Sequence, residues 1–504
     1  MKFVAFSLMI GLSLATLPSP ARTDSVFRVA LSAGPPSKGN TYAGGAATAH
    51  FIWPALYDSL TRVDNAGTVQ PWLALSWEPV TDTEWHFKLR PNVTFSNGEP
   101  FNAAAVKATF DRLRTEDAQG FLWQRQMIYY PKVEIIDELT VAIHTAQPDA
   151  MIAAYLAALY FAAPGHLANV GFQGLSDDPV GTGPFVLERW EPDRVTMRAN
   201  SASWIAPKVD GLEMIFVPDA TARLNALETD QVDIATVIST DQIDMVKREG
   251  HRVEMRNPNR ILVMALQTQD PTLPMADVRV RRALNHAVNR ELITKVLLAG
   301  LVEPASQPAA AIAQGFDNTL KPYTYDPERA KQLLADAGYP DGFSFDVETV
   351  AGFLPNDTAI LQQIASDLSR VGVTMNVLRI TYPQLLRSTL GGELGGQALM
   401  ADFFNNTGDG LRPLVRTVNH ACTGARPWYC DEEIQPVIHK AERTLDLDQR
   451  GILARQVIRH YRDQAATLML FPVVGLDGIH RRVAHWEPWN DILNFHLVEI
   501  KPKT

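Results

Sequence analysis

The sequence predicts an α/β protein of several domains that is exported from the cytoplasm. Three observations carry this. Strand-like runs alternate with helical segments of about 12 residues, the pattern of α/β units with largely parallel sheets. The 504 residues exceed one ordinary core, since domains average roughly 100–200 residues. A short apolar leader opens the chain.

That leader reads MKFVAFSLMIGLSLATLPSPARTDS. Lys2 gives a positive start, residues 3–17 are apolar, and Ser19 and Ala21 place small residues at −3 and −1 of a cleavage site. This is the pattern of a secretory signal peptide over 1–21, too short to span a bilayer. A buried N-terminal strand or helix is the alternative. No cysteine follows the apolar run, so a lipid anchor is not expected. The expectation is a soluble, periplasmic mature protein.

Each later element has a local reason. Residues 26–32 read as a strand, followed by the small-residue loop GPPSKGNTYAGG, whose glycines let a backbone approach a ligand. A helix is expected over 51–60 and a half-exposed strand in the alternating run WHFKL at 85–89. Asp277 caps a helix carrying Val280, Leu284, Ala287, Val288 and Ile293 on one face. Asp326 and Pro327 open the next, with Ala330, Leu333, Leu334 and Ala337 inward and Gly338 closing it. A helix over 358–372 presents Leu361, Ile364, Leu368 and Val371. Strands are expected at 345–350 and 374–380, then a helix over 446–466 and a strand over 468–474.

Composition narrows the function. Hydrophobic residues are 46% and charged residues 20% of the chain, which excludes disordered and collagen-like classes. The net charge of −10 argues against nucleic-acid binding, which needs a basic face. Two cysteines exclude a disulfide-dense scaffold and a four-cysteine zinc site. As a close pair, Cys422 and Cys430 suit one disulfide in an oxidising compartment, two free buried thiols being the other reading. There is no G-x-S-x-G, H-E-x-x-H or phosphate-binding loop, and Gly181-Thr182-Gly183-Pro184 lacks a third glycine. The 12 histidines are scattered. No metal site and no cofactor are proposed, and binding is favoured over catalysis. A secreted α/β hydrolase or peptidase is the competing class.

One region adds more. QPWLALSWEPVTDTEWHFKLRPNVTFSNGEPFNAAAVKATFDRL, residues 70–113, resembles the signature of the periplasmic solute-binding proteins of the dipeptide/oligopeptide/nickel family. Pro71, Leu73, Ala74, Ser76, Trp77, Trp85, Phe87, Leu89, Arg90, Val93, Phe95, Gly98, Pro100, Phe101, Ala103 and Val106 match the pattern. The blocks at 179–204 and 209–234, DVRVRRALNHAVNRELI and YDPERAKQLLADAGYPDGF agree in order. Trp77, Trp85, Phe87 and Phe95 are read as core residues. Gly181 and Gly183 are read as a tight turn at a strand entry, and Arg90 as a capping or pairing residue.

The resemblance implies a two-lobed periplasmic-binding-protein fold with an extra subdomain in the first lobe and a ligand cleft between lobes. The first lobe is expected to comprise 22–53, 176–257 and 478–504, the subdomain 54–175 and the second lobe 258–477, with crossovers near 257–261 and 474–478. It implies a monomeric receptor that hands an unaltered peptide or peptide-like solute to a membrane permease driven by a cytoplasmic ATPase. Opines, oligosaccharides, nickel chelates and haem are the other ligands of such proteins.

The expected site draws on three segments. Ser32, Gly34 and Tyr42 come from the first loop, and Arg260 from the first crossover, where a guanidinium facing the cleft grips a carboxylate or phosphate, a surface charge being the other reading. The third segment is ALMADFFNNTGDGLRP, residues 398–413. There Phe403 takes the aromatic position, core packing being the other reading; Asn405 and Asn406 offer neutral amides, or serve a turn, and Asn406 stands where peptide receptors place an aspartate for the ligand's ammonium. Asp402 or Asp409 is the substitute if the loop has shifted. Relatives carry a cysteine pair in similar surroundings, so Cys422 and Cys430 are expected to pin a surface loop beside the cleft and to pre-organise Trp428.

Overall fold

A computed structural model describes residues 25–501 except 45–48, 257–258, 351–355, 382–383, 386–387, 389–394, 406, 416–421, 423–426 and 490–491. The leader and Asn406 therefore lie outside the described residues.

The chain builds two large sheets and visits the first of them three times. β1 (Val26–Leu31) opens it. The hairpin β2 (Thr61–Val63) and β3 (Val69–Pro71) follows. Next comes an antiparallel sheet of β4 (Ala74–Thr81), β5 (Glu84–Leu89), β6 (Lys132–Asp137) and β7 (Thr140–His144), in the order β4-β5-β7-β6. Trp77 pairs with Phe87 across β4 and β5, and Trp85, Phe87 and Phe95 are buried in one core.

The chain then returns through β8 (Phe185–Glu191), β9 (Arg194–Ala199), β10 (Gly211–Phe216), β11 (Ile234–Ala235) and β12 (Arg252–Arg256). It crosses to the second sheet, built of β13 (Arg260–Leu266), β14 (Phe343–Val350), β15 (Val373–Ile380), β16 (Ala398–Phe404) and β17 (Thr467–Pro472). β18 (Gly475–Ile479) goes back to the first. The orders are β12-β18-β11-β1-β10-β9-β8 and β15-β14-β16-β13-β17. The return crossing lies at Val473 and Val474, at the start of the segment expected over 474–478. One apolar cluster runs from Ala30 and Leu227 through Val474 and Leu476 to Leu262 and Val347, so the crossovers pass through core.

The sheets are mixed rather than largely parallel. β1 runs parallel to β10 and β11, and β14 to β15 and β16; the other pairs are antiparallel. Helical crossovers give parallel neighbours, whereas the tight turn between β8 and β9 and the loop over 200–210 between β9 and β10 reverse the chain. β13 enters the second sheet and β17 leaves it, so these two also oppose.

Local signals mostly hold. Asp326 accepts from the Arg329 N–H at 2.9 Å and Gly338 takes φ +94°, the left-handed geometry that suits glycine after a helix. Asp446 caps the Leu447–Asp463 helix through the Gln449 N–H at 2.9 Å. One expectation is corrected: the helix capped by Asp277 stops at Ala287, and Val288 is extended before Asn289 caps a new turn. The cause is Arg290. Its guanidinium turns inward and donates to the Asn285 and Val288 carbonyls at 2.7 and 3.2 Å, which diverts the backbone. With no carboxylate beside it, burial pulls its pKa down to about 10.

The Gly-Thr-Gly block lies in a bend at the entry to β8. Neither glycine has a positive φ. Instead a Cβ on Gly181 would stand 2.1 Å from the Leu56 carbonyl oxygen, and on Gly183 2.5 Å from the Leu56 carbonyl carbon. The block is bare so that the end of the Ala49–Leu56 helix can lie on it. Thr182 then donates to the buried Asp58 carboxylate at 2.8 Å. Arg90 donates to the Trp72 carbonyl at 3.0 Å and lies 4.2 Å over the Trp204 ring.

The C-terminal segment supplies a pH prediction. His496 packs beside Trp72, and burial, then the Arg62 charge, lowers its pKa to about 4. Unfolded, it titrates near 6.5. The unfolded chain therefore takes up the proton first as pH falls, and stability drops between about pH 6.5 and 4. Allowing for partial hydration, the loss is about 1–2 kcal/mol. Urea denaturation at pH 7 and pH 4.5 is expected to show this loss in the wild type and a smaller one in His496→Gln.

Candidate functional site

Parallel strands end their carboxyl termini on one edge, and in α/β sheets that edge carries the binding loops. For the first sheet these loops follow β1, β10 and β11. Two of them are held by one side chain. Arg223, buried in the Ala220–Glu228 helix, donates to the carbonyls of Val217, Pro218, Thr236 and Val237 at 2.7–2.8 Å. Four backbone acceptors use its planar fork without a carboxylate partner. The clamp holds Val237 at φ +52°, a region costly for a β-branched residue. Its N–H donates to Asp477 at 3.2 Å.

For the second sheet the loops follow β14, β15 and β16, and the one after β14 meets the first set at Asn356. Thr240 donates to the Leu297 carbonyl at 3.0 Å and accepts from the Asn356 amide at 2.9 Å. The loop after β16 runs along the seam between the sheets. One end is tied to the first crossover by the Asn405 N–H on the Asn259 carbonyl at 3.0 Å. Its other end meets the subdomain, where Asp409 receives the Tyr155 hydroxyl. Beside the first crossover, Arg256 pairs with Asp477 at 3.0 Å and covers the Phe51 ring at 4.7 Å.

The structure places the expected residues unevenly around this seam. Arg260 and Asp402 form an ion pair on one face of the β13–β16 ladder. Arg260 also lies 5.6 Å over the Phe404 ring. Phe403, on the opposite face, packs in a core with Ile261, Leu411 and Ile458. Trp428 is buried against Ala265 and Leu399, with its carbonyl accepting from Thr268 at 2.7 Å. Cys422 and Cys430 are disulfide-bonded.

Ser32 and Gly34 stand at the end of β1, where a Cβ on Gly34 would come within 2.7 Å of the Phe216 ring. Tyr42 is fully buried; its hydroxyl accepts from the Ala162 N–H at 3.0 Å, and burial pushes its pKa to about 12. Asn405 is also buried, with its amide N–H on the Phe403 carbonyl at 3.0 Å. The Asn405 carboxamide oxygen and the Thr407 hydroxyl, both buried, find no hydrogen-bond partner among the described residues.

Asp409 is fully buried and committed. Arg450 reaches both of its oxygens, at 2.9 and 3.0 Å, and the Leu411 N–H donates at 3.0 Å. Burial alone would raise its pKa, but the Arg450 charge and these bonds hold it below the usual carboxylate range. Tyr155, Arg223, Thr240 and Arg450 escaped sequence reasoning. Tyr155, Thr240 and Arg450 bond to elements distant in the chain, and Arg223 to the carbonyls of the loops flanking its own helix, which no side-chain pattern marks.

Residues 68–409 match the model of the bacterial extracellular solute-binding proteins, family 5 Middle. The glutathione-binding protein GsiB of Escherichia coli (strain K12) is 30% identical over 412 residues, 78% of each chain. GsiB of Salmonella typhimurium is 28% identical over 470 residues, 89% of each. Among solved structures, DppA from Helicobacter pylori in complex with the peptide STSA superposes with a TM-score of 0.81 at 21% identity, covering 95% of this chain and 98% of that one. AgaA from A. tumefacien R10 in complex with agropinic acid gives 0.83 at 19% identity, covering 95% and 99%. These structures share the two-lobed fold. With most of its length matched by the family model and by a 30% identical relative, the chain belongs to the bacterial extracellular solute-binding proteins of family 5.

Proposed function

We propose that this protein is the solute receptor of an ABC importer. It captures a peptide or peptide-like compound between its lobes and delivers it unaltered to a membrane permease with a cytoplasmic ATPase. The observation that carries the reading is the loop after β16. It lies in the seam between the two sheets and holds two buried polar atoms, Asn405 Oδ1 and Thr407 Oγ1, without partners among the described residues. A buried acceptor left unmatched costs about 1–3 kcal/mol, so a guest amide or hydroxyl placed there stabilises the assembled lobes.

A guest that touches both lobes binds the joined form better and shifts the equilibrium toward it. The glutathione-binding relatives and the peptide-bound structural neighbour support a peptide-like guest. The neutral Asn405 and the commitment of Asp409 to Arg450 favour an amide or hydroxyl over a free ammonium at this position. An anionic guest at Arg260 competes with Asp402. The reading places the mature protein in the periplasm as a monomer, without a lipid anchor.

Tryptophan fluorescence titration and small-angle scattering of exported protein test this, with dipeptides, glutathione, opines, sugars and nickel chelates as candidates. One class is expected to bind saturably, reduce the radius of gyration and leave with unchanged mass. Binding by none, or turnover of the guest, would refute it.

A further inference from the structure

We infer that Tyr155, Asp409 and Arg450 form a latch between the first-lobe subdomain and the second lobe, so that the subdomain as well as the crossovers sets how firmly the lobes hold together. This deepens the receptor reading and rests on it.

Tyr155 lies in the Ile152–Leu156 helix and is 4% exposed. Its hydroxyl donates to the carboxylate of Asp409, 254 residues away. Arg450 belongs to the Leu447–Asp463 helix of the second lobe. It is fixed there by the Gln314 carboxamide, which itself donates to the Leu447 carbonyl at 2.7 Å. The Asp409–Arg450 pair is thus internal to the second lobe. It persists whether the lobes touch or part.

The Tyr155 bond is different, because it exists only while the lobes touch. Three neighbours mark the same seam. The Arg412 guanidinium lies 5.5 Å over the Tyr155 ring, and Arg443 donates to Gln147 at 3.3 Å. Backbone meets backbone where a Cβ on Gly408 would stand 2.6 Å from the Gly67 oxygen. Apart, the hydroxyl and the carboxylate each face water. Together they make a charge-assisted hydrogen bond in a dry seam, and the joined state gains.

Tyr155→Phe removes one oxygen and leaves the interior of both lobes intact. The test compares solute-free wild type and variant by small-angle scattering, hydrogen exchange of the 408–411 amides and thermal melting. The variant is expected to show a larger radius of gyration, exchange roughly ten- to a hundredfold faster at 408–411, and an unchanged melting temperature. Equal radius and equal exchange would overturn the latch. So would a lowered melting temperature at equal radius, which marks an ordinary structural contact. Because these readouts need no guest, a wild type that binds none of the candidates would sink the receptor reading without deciding this comparison.

Discussion

Arg223→Met is expected to lower stability by roughly 3–5 kcal/mol and to abolish tight guest binding. The guanidinium is the shared donor for four carbonyls on the loops after β10 and β11, buried at Thr236 and part-buried at Val217, Pro218 and Val237. The buried Thr236 carbonyl left dry costs about 1–3 kcal/mol, and the three part-buried carbonyls add a smaller share that water partly offsets. The two loops end parallel strands on the edge that faces the second lobe, and Val237 keeps its left-handed backbone only under that clamp. Loosening them therefore removes both packing and the site's shape. Arg223→Lys should recover little, since one ammonium on a flexible stem cannot replace a planar fork reaching four acceptors. Calorimetry and fluorescence titration of both variants check this; a Met variant with wild-type stability would contradict the clamp.

Arg450→Leu carries the second large effect. It strands Asp409 in a fully buried position, and breaking a buried pair costs about 3–5 kcal/mol. The pH dependence reverses sign. In the wild type the folded Asp409 pKa is depressed, so its contribution is present above the unfolded value, near 3.9, and is lost as pH falls through the folded value. In the variant burial raises the folded pKa instead, and stability falls as pH rises above the ordinary carboxylate range. In urea denaturation the loss of the variant relative to the wild type is expected to be smaller at pH 5 than at pH 7, a comparison in which the His496 contribution cancels. Asp409→Leu combined with Arg450→Leu should recover part of the loss, because no lone charge remains.

Much of the fold was legible where the physics is local. Asp277, Asp326 and Asp446 announce helix starts because a cap needs only a side chain within reach of the next two or three N–H groups. Alternating burial in WHFKL shows a strand by the same token. The helix broken at Val288 was not legible, since Arg290 bends it toward a carbonyl of β17, 179 residues on.

The site divides along the same line. Sequence pattern alone established a multi-domain α/β chain, an isolated cysteine pair and the family to which 70–113 points. It also picked out the loop after β16 and the arginine at the crossover. Only the tertiary structure decided what those residues do. Sheet register sets Phe404 opposite Arg260 and Asp402 diagonal to it, which neutralises a cation that the sequence left free for a guest. The fold also brings Tyr155 and Arg450 to one carboxylate from 254 and 41 residues away. Charges and hydrogen bonds act over a few ångströms of space, and no local pattern in a chain records which distant segment will fill them.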